Sequence, residues 1–131
     1  LAPAMGGIII GYEIGKILNK ETIFCERVNG KFKLRRGFTI KKDAKVLIIE
    51  DVITTGKSSL ECVKLIKKAK GKLVGFACII DRSNKKQVKI KSKIISQIRL
   101  NVPTYKKNKI PDNLKKIPIT KPGSRFIKWL N

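Results

Sequence analysis

Residues 46–58 have the sequence VLIIEDVITTGKS, which joins an apolar run to two acids and a turn rich in hydroxyl groups. The run VLII is typical of a strand that is buried on both faces, as in a parallel sheet. Glu50 and Asp51 follow at the carboxyl end of that strand, where ligands bind in open α/β sheets. The segment therefore predicts an α/β fold with a ligand site at this edge of the sheet.

The turn after the acids has the composition of a phosphate site. Its residues are Thr54, Thr55, Gly56, Lys57 and Ser58. Backbone N–H groups at the start of a helix, beside a glycine that permits close approach, form a cradle for a phosphate. The two acids would then suit sugar hydroxyls or a Mg²⁺ ion. The structural alternative is a capped helix after a strand, with Thr54 or Ser58 as the cap and two idle carboxylates.

Residues 46–58 resemble the phosphoribosyl-pyrophosphate (PRPP) motif of type I phosphoribosyltransferases, in which two acids and a Thr-Thr-Gly-x-Ser turn follow an apolar strand. The resemblance implies the fold of that family, a mostly parallel sheet flanked by helices, with a basic mobile loop or hairpin. It also implies that Glu50 and Asp51 hold the ribose of PRPP, with Asp51 contributing to catalysis. The turn at residues 54–58 would hold the 5′-phosphate.

Two further segments resemble parts of the same family. Residues 2–7, APAMGG, are similar to the pyrophosphate loop, where small residues let backbone amides approach an anion. The PRPP contacts implied there are Ala4, Met5 and Gly6. Residues 26–38, ERVNGKFKLRRGF, are similar to the mobile catalytic loop and hairpin of bacterial orotate phosphoribosyltransferases, with a turn expected at Asn29-Gly30. The cations implied in catalysis are Arg27, Lys31 and Lys33. Such cations would stabilise the negative charge that develops on the pyrophosphate as it leaves.

The segment at residues 79–83, IIDRS, resembles the part of orotate phosphoribosyltransferases whose arginine holds the orotate carboxylate. The resemblance implies that role for Arg82, with Thr54 as a second orotate contact. A guanidinium binds a carboxylate in a bidentate fork, whereas a surface Asp81–Arg82 salt bridge, the alternative reading, contributes little.

The activity implied by the resemblance is transfer of the phosphoribosyl group from PRPP to orotate, giving orotidine 5′-monophosphate and pyrophosphate in pyrimidine biosynthesis. The implied cofactor is Mg²⁺, carried mainly by pyrophosphate and water with few protein ligands. A phosphoribosyltransferase for another base stays open, as does a non-enzymatic regulator that senses PRPP and binds nucleic acid. The sequence has no histidine, which excludes an imidazole base.

Length and charge set the remaining expectations. The 131 residues predict one domain, residues 1–131, with an irregular basic tail at 103–131. The net charge of +22 is spread over every connection and helix face rather than gathered in one stripe, so nucleic acid is not the favoured partner. We expect a cytoplasmic protein without a membrane span, whose cysteines are small buried residues. The resemblance implies a homodimer with a shared loop, and an amino-terminal segment, missing here, that covers the base.

Periodicity predicts the individual elements. The predicted helices lie at residues 8–18 and 58–69, the second ended by Gly71, with a short terminal helix around Phe126, Trp129 and Leu130. The predicted strands lie at residues 22–26, 46–50, 73–80 and 94–100. A hairpin is predicted around residues 33–40, and a lysine-rich connection at residues 84–93.

Overall fold

The computed structural model describes residues 1–83, 90–103 and 105–118. Its strands are β1 (Ala2–Pro3), β2 (Phe24–Val28), β3 (Lys31–Leu34), β4 (Lys45–Ile53), β5 (Lys72–Asp81) and β6 (Ile94–Arg99). Its helices are α1 (Gly7–Leu18), α2 (Lys57–Lys68) and the short α3 (Asp112–Lys115), with a 3₁₀ turn at Lys107–Lys109.

Two three-stranded sheets are joined through the backbone of one residue. Strands β4, β5 and β6 are parallel in that order, while β1 pairs parallel to β2 and β2 pairs antiparallel to β3. The Leu1 nitrogen donates to the Leu47 carbonyl at 2.8 Å, and the Ile49 nitrogen donates to the Leu1 carbonyl at 3.0 Å. This is the bonding of a parallel pair, so the carboxyl ends of β1 and β4 meet at the same edge.

The core lies between the sheet and α2, whose Cys62 and Ile66 are fully buried against residues such as Ile48 and Phe76. Helix α1 packs on β1 and β4 through small residues. A Cβ at Gly7 would lie 2.9 Å from the Ile49 carbonyl oxygen, so this close approach requires glycine. The two helices therefore begin at the edge where β1 and β4 end.

The predicted α/β fold, with a parallel sheet flanked by helices, is confirmed. Both long helices and the strands at β4, β5 and β6 lie within a few residues of their predicted bounds. The three cysteines are buried, and no disulfide joins them.

The hairpin predicted at residues 33–40 is wrong, because the chain turns earlier. Asn29 and Gly30 have φ values of 51° and 75°, so the turn expected at this pair joins β2 directly to β3. Positive φ at both central residues matches the two-residue hairpin turn. Arg36 and Gly37 also have positive φ, which interrupts the extended chain after Leu34.

Helix α2 ends at Lys68, and the left-handed residue after it lies one position before the glycine that was predicted to end the helix. Lys70 adopts the left-handed conformation at φ 59°, and the Gly71 N–H bonds to the Ile66 carbonyl at 2.9 Å. This is a Schellman ending with lysine at its left-handed position. Gly71 is needed for packing instead, because a Cβ there would lie 2.9 Å from Ile40 Cγ2.

Part of the tail and of the lysine-rich connection falls outside the described residues, as does the helix predicted around Phe126, Trp129 and Leu130. Residues 105–118 contain the 3₁₀ turn and α3, so this part of the tail is not wholly irregular. Within the described ranges, no helix is both long and apolar enough to cross a membrane.

Candidate active site

A cavity of about 420 Å³ opens at the edge where β1 and β4 end. Its lining consists of the loop after β1, the end of β4 with the following turn, and two side chains of the β2–β3 hairpin. These are residues 3–6, residues 50–59, Arg27 and Phe32. The pocket thus gathers the acids, the phosphate turn and the small-residue loop predicted from the sequence.

The two acids face opposite sides of β4, as successive strand residues must. Glu50 is buried and accepts a hydrogen bond at 2.9 Å from Ser59 Oγ of α2. Asp51 is half-buried, and its Oδ1 accepts the Val52 N–H at 2.8 Å. One carboxylate is therefore anchored to α2, while the other lies against the amino-terminal loop.

Gly6 brings that loop against Asp51. A Cβ built on Gly6 would overlap the Asp51 carboxylate, with Oδ1 3.0 Å away and Oδ2 closer still. The peptide bond between Ala4 and Met5 is cis, and the Met5 side chain is 82% exposed. Only a residue without a side chain permits this contact between the predicted pyrophosphate loop and the predicted ribose acid.

The turn at residues 54–58 leaves the start of α2 open to the pocket. Gly56 precedes the helix in the left-handed conformation, at φ 70° and ψ 8°, and no side chain caps the helix. The Lys57 N–H makes a long contact of 3.4 Å to Thr55 Oγ1. Neither Thr54 nor Ser58 is the cap, which removes the structural alternative for these hydroxyls. The first backbone N–H groups of a helix have no intrahelical partner, and here they line an anion-sized cavity.

Arg27 is the hairpin cation that the fold places at the pocket. Its Nη1 donates to Glu61 Oε2 at 2.8 Å and to the Gly30 carbonyl at 2.7 Å. Its guanidinium carbon lies 4.0 Å from the centre of the Phe32 ring, which is directly opposite in the strand pairing. These contacts hold the cation at the wall of the pocket.

Lys31 and Lys33 lie elsewhere, because side chains alternate along a strand. They pair with Val28 and Glu26 and therefore project from the opposite face to Arg27 and Phe32. Both are exposed and neither lines the pocket. Arg35 and Arg36, further along, form ion pairs with Glu26 at 3.6 and 3.2 Å.

Arg82 follows β5 beside the phosphate turn but does not line the pocket. Its N–H donates to the Ile53 carbonyl at 2.8 Å, and its side chain is exposed. Asp81 is buried and pairs with Arg99, which donates through Nε at 3.1 Å and Nη2 at 2.8 Å. The Asp81–Arg82 salt bridge considered as an alternative is thus absent among the described ion pairs.

Asp81 has a second role in shaping this edge of the sheet. Burial raises the pKa of Asp81, but hydrogen bonds from Ser83 and Arg99 outweigh it and hold that pKa below 3.8. The Ser83 N–H donates to Asp81 Oδ1 at 2.8 Å. The ionised carboxylate therefore fixes the chain on either side of Arg82.

Sequence reasoning missed three residues that support the site: Phe32, Ser59 and Glu61. Glu61 is the single acid of α2, in the sequence KSSLECVKLIKK, and that isolation was a usable signal. Nothing in the sequence marks Ser59 as the partner of Glu50, because the contact depends on how α2 packs. Among the described residues, no three histidine, cysteine or acidic side chains are grouped so as to hold a metal ion.

Comparison with known families decides the membership of this chain. The family described as the phosphoribosyl transferase domain matches residues 1–108. The chain belongs to that family. Its fold is accordingly the type I phosphoribosyltransferase fold predicted from residues 46–58.

Curated relatives of this family member are similar over nearly all of the chain. It is 44% identical over 125 residues to a protein of Erythrobacter litoralis, covering 95% of the chain and 64% of that protein. It is 46% identical over 128 residues to a protein of Caulobacter vibrioides, covering 98% of the chain and 66% of that protein. Both relatives are named orotate phosphoribosyltransferase. The chain spans just under two thirds of their length.

Solved structures of the family agree in fold. An adenine phosphoribosyltransferase from Thermoanaerobacter pseudethanolicus superposes with a TM-score of 0.65 at 16% identity, covering 76% of this chain and 67% of that one. An orotate phosphoribosyltransferase from Aeropyrum pernix superposes with a TM-score of 0.59 at 18% identity, covering 76% and 58%. The family's fold is thus shared by enzymes named for different bases.

Proposed function

We propose that the protein is an orotate phosphoribosyltransferase, which transfers the phosphoribosyl group of PRPP to orotate in a cytoplasmic homodimer. The single observation that carries this proposal is the meeting of two acids, an uncapped helix start and a glycine loop around one cavity. Its finer part, the base, is supported by the names of relatives 44–46% identical to this chain.

The pocket offers a separate partner for each part of PRPP. The amides of residues 54–58 take the 5′-phosphate at the start of α2, while Glu50 and Asp51 accept hydrogen bonds from the ribose hydroxyls. The loop at residues 4–6 and Arg27 take the pyrophosphate. As the bond to the anomeric carbon breaks, negative charge grows on the pyrophosphate, and Arg27 stabilises it.

Mg²⁺ fits this set of donors. The half-buried Asp51 carboxylate at the pocket wall is an oxygen ligand of the kind Mg²⁺ accepts, beside the oxygens of the pyrophosphate. When bound, the ion neutralises charge on the pyrophosphate. The chain itself orients the ribose through Glu50 and Asp51.

Arg82 supplies the proposed selectivity for orotate. Its backbone is bonded to Ile53, which directly precedes the pocket residue Thr54. The exposed guanidinium would turn toward the carboxylate of the bound base, which neither uracil nor a purine carries. Thr54 would contact the same base.

The experiment is a comparison of bases. Protein of the full length of the curated relatives, of which this chain spans just under two thirds, is incubated with PRPP, Mg²⁺ and orotate, uracil, adenine or hypoxanthine. Loss of each base is followed by absorbance. We expect turnover of orotate alone. Asp51→Asn should abolish it, since the ribose contact is weakened. Asp112→Asn, at an exposed acid paired with Lys115, should leave it unchanged.

Two other outcomes have definite meanings. Turnover of adenine, hypoxanthine or uracil in place of orotate would assign the protein to another base. Calorimetric binding of PRPP without turnover of any base would refute the enzyme and favour a regulator that senses PRPP.

A further inference from the structure

The ion pair between Arg27 and Glu61 connects the two parts of the protein that flank the pocket. Arg27 is carried by β2, while Glu61 lies on α2, which begins at the phosphate turn. Arg27 Nη1 lies 2.8 Å from Glu61 Oε2, and the two side chains are 34% and 22% exposed, respectively. Glu61 itself does not line the pocket.

From this geometry we infer that Glu61 is a positioning residue, which holds Arg27 where it meets the pyrophosphate of PRPP. The inference rests on the proposed function for its substrate. It assigns to Glu61 an effect on phosphoribosyl transfer that is exerted only through Arg27.

The contacts of Arg27 explain why an anchor is needed. Arginine has several freely rotating bonds, so fixing such a side chain in one conformation costs side-chain entropy. Phe32 supports one face of the guanidinium, and the Gly30 carbonyl takes one N–H bond. Both belong to the hairpin, so they move with it. Glu61 is the contact that ties the guanidinium to α2, and hence to the phosphate turn.

The negative charge of Glu61 makes positioning testable, because positioning and simple charge repulsion predict opposite effects of removing this residue. An acid beside a site for a highly anionic ligand repels that ligand, so removing it should improve PRPP use if charge alone mattered. Positioning predicts the reverse, because a freed Arg27 samples other rotamers. A displacement of about 1 Å in a catalytic group can cost on the order of 100-fold in rate.

The test is a double-mutant cycle on kcat/KM for PRPP in the protein shown to turn over orotate. Glu61→Ala should lower it about tenfold and Arg27→Ala about 100-fold, while the double variant should match Arg27→Ala within about threefold. Glu61→Gln should lose only about threefold, since its amide oxygen still accepts an Arg27 N–H bond. Glu13→Ala, at an exposed acid of α1, is the matched control and should be unchanged.

Contrary results separate the alternatives. Additive losses would assign Glu61 a role independent of Arg27, and unchanged or improved kcat/KM in Glu61→Ala would refute positioning. Equal losses in the Gln and Ala variants together with a lowered melting temperature would mean a structural role. If the unaltered protein transfers no base, the proposed function fails first. The same cycle on the PRPP dissociation constant then decides the positioning role by itself.

Discussion

Gly6→Ala gives the sharpest test of how the pocket is built. Gly6 has φ −58° and ψ −40°, which alanine adopts without strain, so any loss of stability in Gly6→Ala comes from packing. The added Cβ would overlap Asp51 Oδ2 and lie 3.0 Å from Oδ1. Non-bonded heavy atoms settle near roughly 3.5–4 Å, so the carboxylate or the loop must move by about 1 Å.

The expected magnitude follows from that displacement. Overpacking of this kind costs about 1–3 kcal/mol of unfolding free energy. A shift of about 1 Å at a group that holds the ribose should lower kcat/KM for PRPP by on the order of 100-fold. Urea unfolding measures the first quantity, and the orotate absorbance assay measures the second.

Two variants isolate the contact. Gly75→Ala is the matched control, because a Cβ there would lie 3.6 Å from the Lys93 carbonyl oxygen, an ordinary contact. Asp51→Ala removes the carboxylate, and in that background Gly6→Ala should cost less than about 0.5 kcal/mol. If Gly6→Ala is as stable and as active as the unaltered protein, the reasoning about this contact is refuted.

The remaining predictions concern Arg82, Ser59 and Asp81. Arg82→Ala should lower kcat/KM for orotate by about 10- to 100-fold, which corresponds to the loss of a hydrogen bond to a charged group, while the KM for PRPP stays constant. A loss of kcat/KM for PRPP that comes from a raised KM for PRPP would contradict the role of Arg82 at the base. Ser59→Ala should reduce unfolding free energy by about 1–3 kcal/mol, because a buried bond to Glu50 is lost, whereas Ser58→Ala should stay within about 0.5 kcal/mol; equal urea midpoints would refute this. Asp81 has a folded pKa below 3.8, so its stabilisation is present above that pH and disappears as the pH falls through the folded value. In Asp81→Asn the unfolding free energy should therefore fall less steeply as the pH is lowered, as measured by urea unfolding at a series of acidic pH values. The same steepness in the variant and the unaltered protein would contradict this prediction.

The site residues that the sequence predicted correctly as neighbours share one property: each lies at or soon after the carboxyl end of a strand. Glu50, Asp51 and the turn at residues 54–58 are contiguous, so their meeting depends only on β4 and α2. Gly6 joins them because β1 runs parallel beside β4, a consequence of α/β topology.

The sequence could not predict which side chains of the hairpin face the pocket, because this depends on the register of strand pairing. Whether Lys31 or Arg27 faces the pocket depends on which hairpin residues pair, and a shift of one residue reverses every side chain. The Asn29-Gly30 turn fixes that register and leaves Lys31 and Lys33 on the far face. Periodicity placed the hairpin around residues 33–40, too late in the chain, because nothing in the sequence marks the left-handed conformation of Arg36 that interrupts the extended chain there.

Contacts between elements that are distant in the chain could also not be predicted from the sequence. The pairing of Glu61 with Arg27, and of Asp81 with Arg99, joins residues 34 and 18 positions apart. Such pairs depend on the packing of α2 against the hairpin and of β5 against β6. In a chain with 31 basic residues, many cations could have been the partner of each acid.

A crystal structure with orotidine 5′-monophosphate is the decisive test of the proposed pocket, because the product carries the phosphate, the ribose and the orotate carboxylate together. We expect the phosphate oxygens of the bound nucleotide about 2.7–3.2 Å from the amides of residues 54–58. The ribose hydroxyls should bind Glu50 and Asp51, and the orotate carboxylate should bind Arg82. A nucleotide bound elsewhere, or one whose phosphate avoids the start of α2, would contradict it.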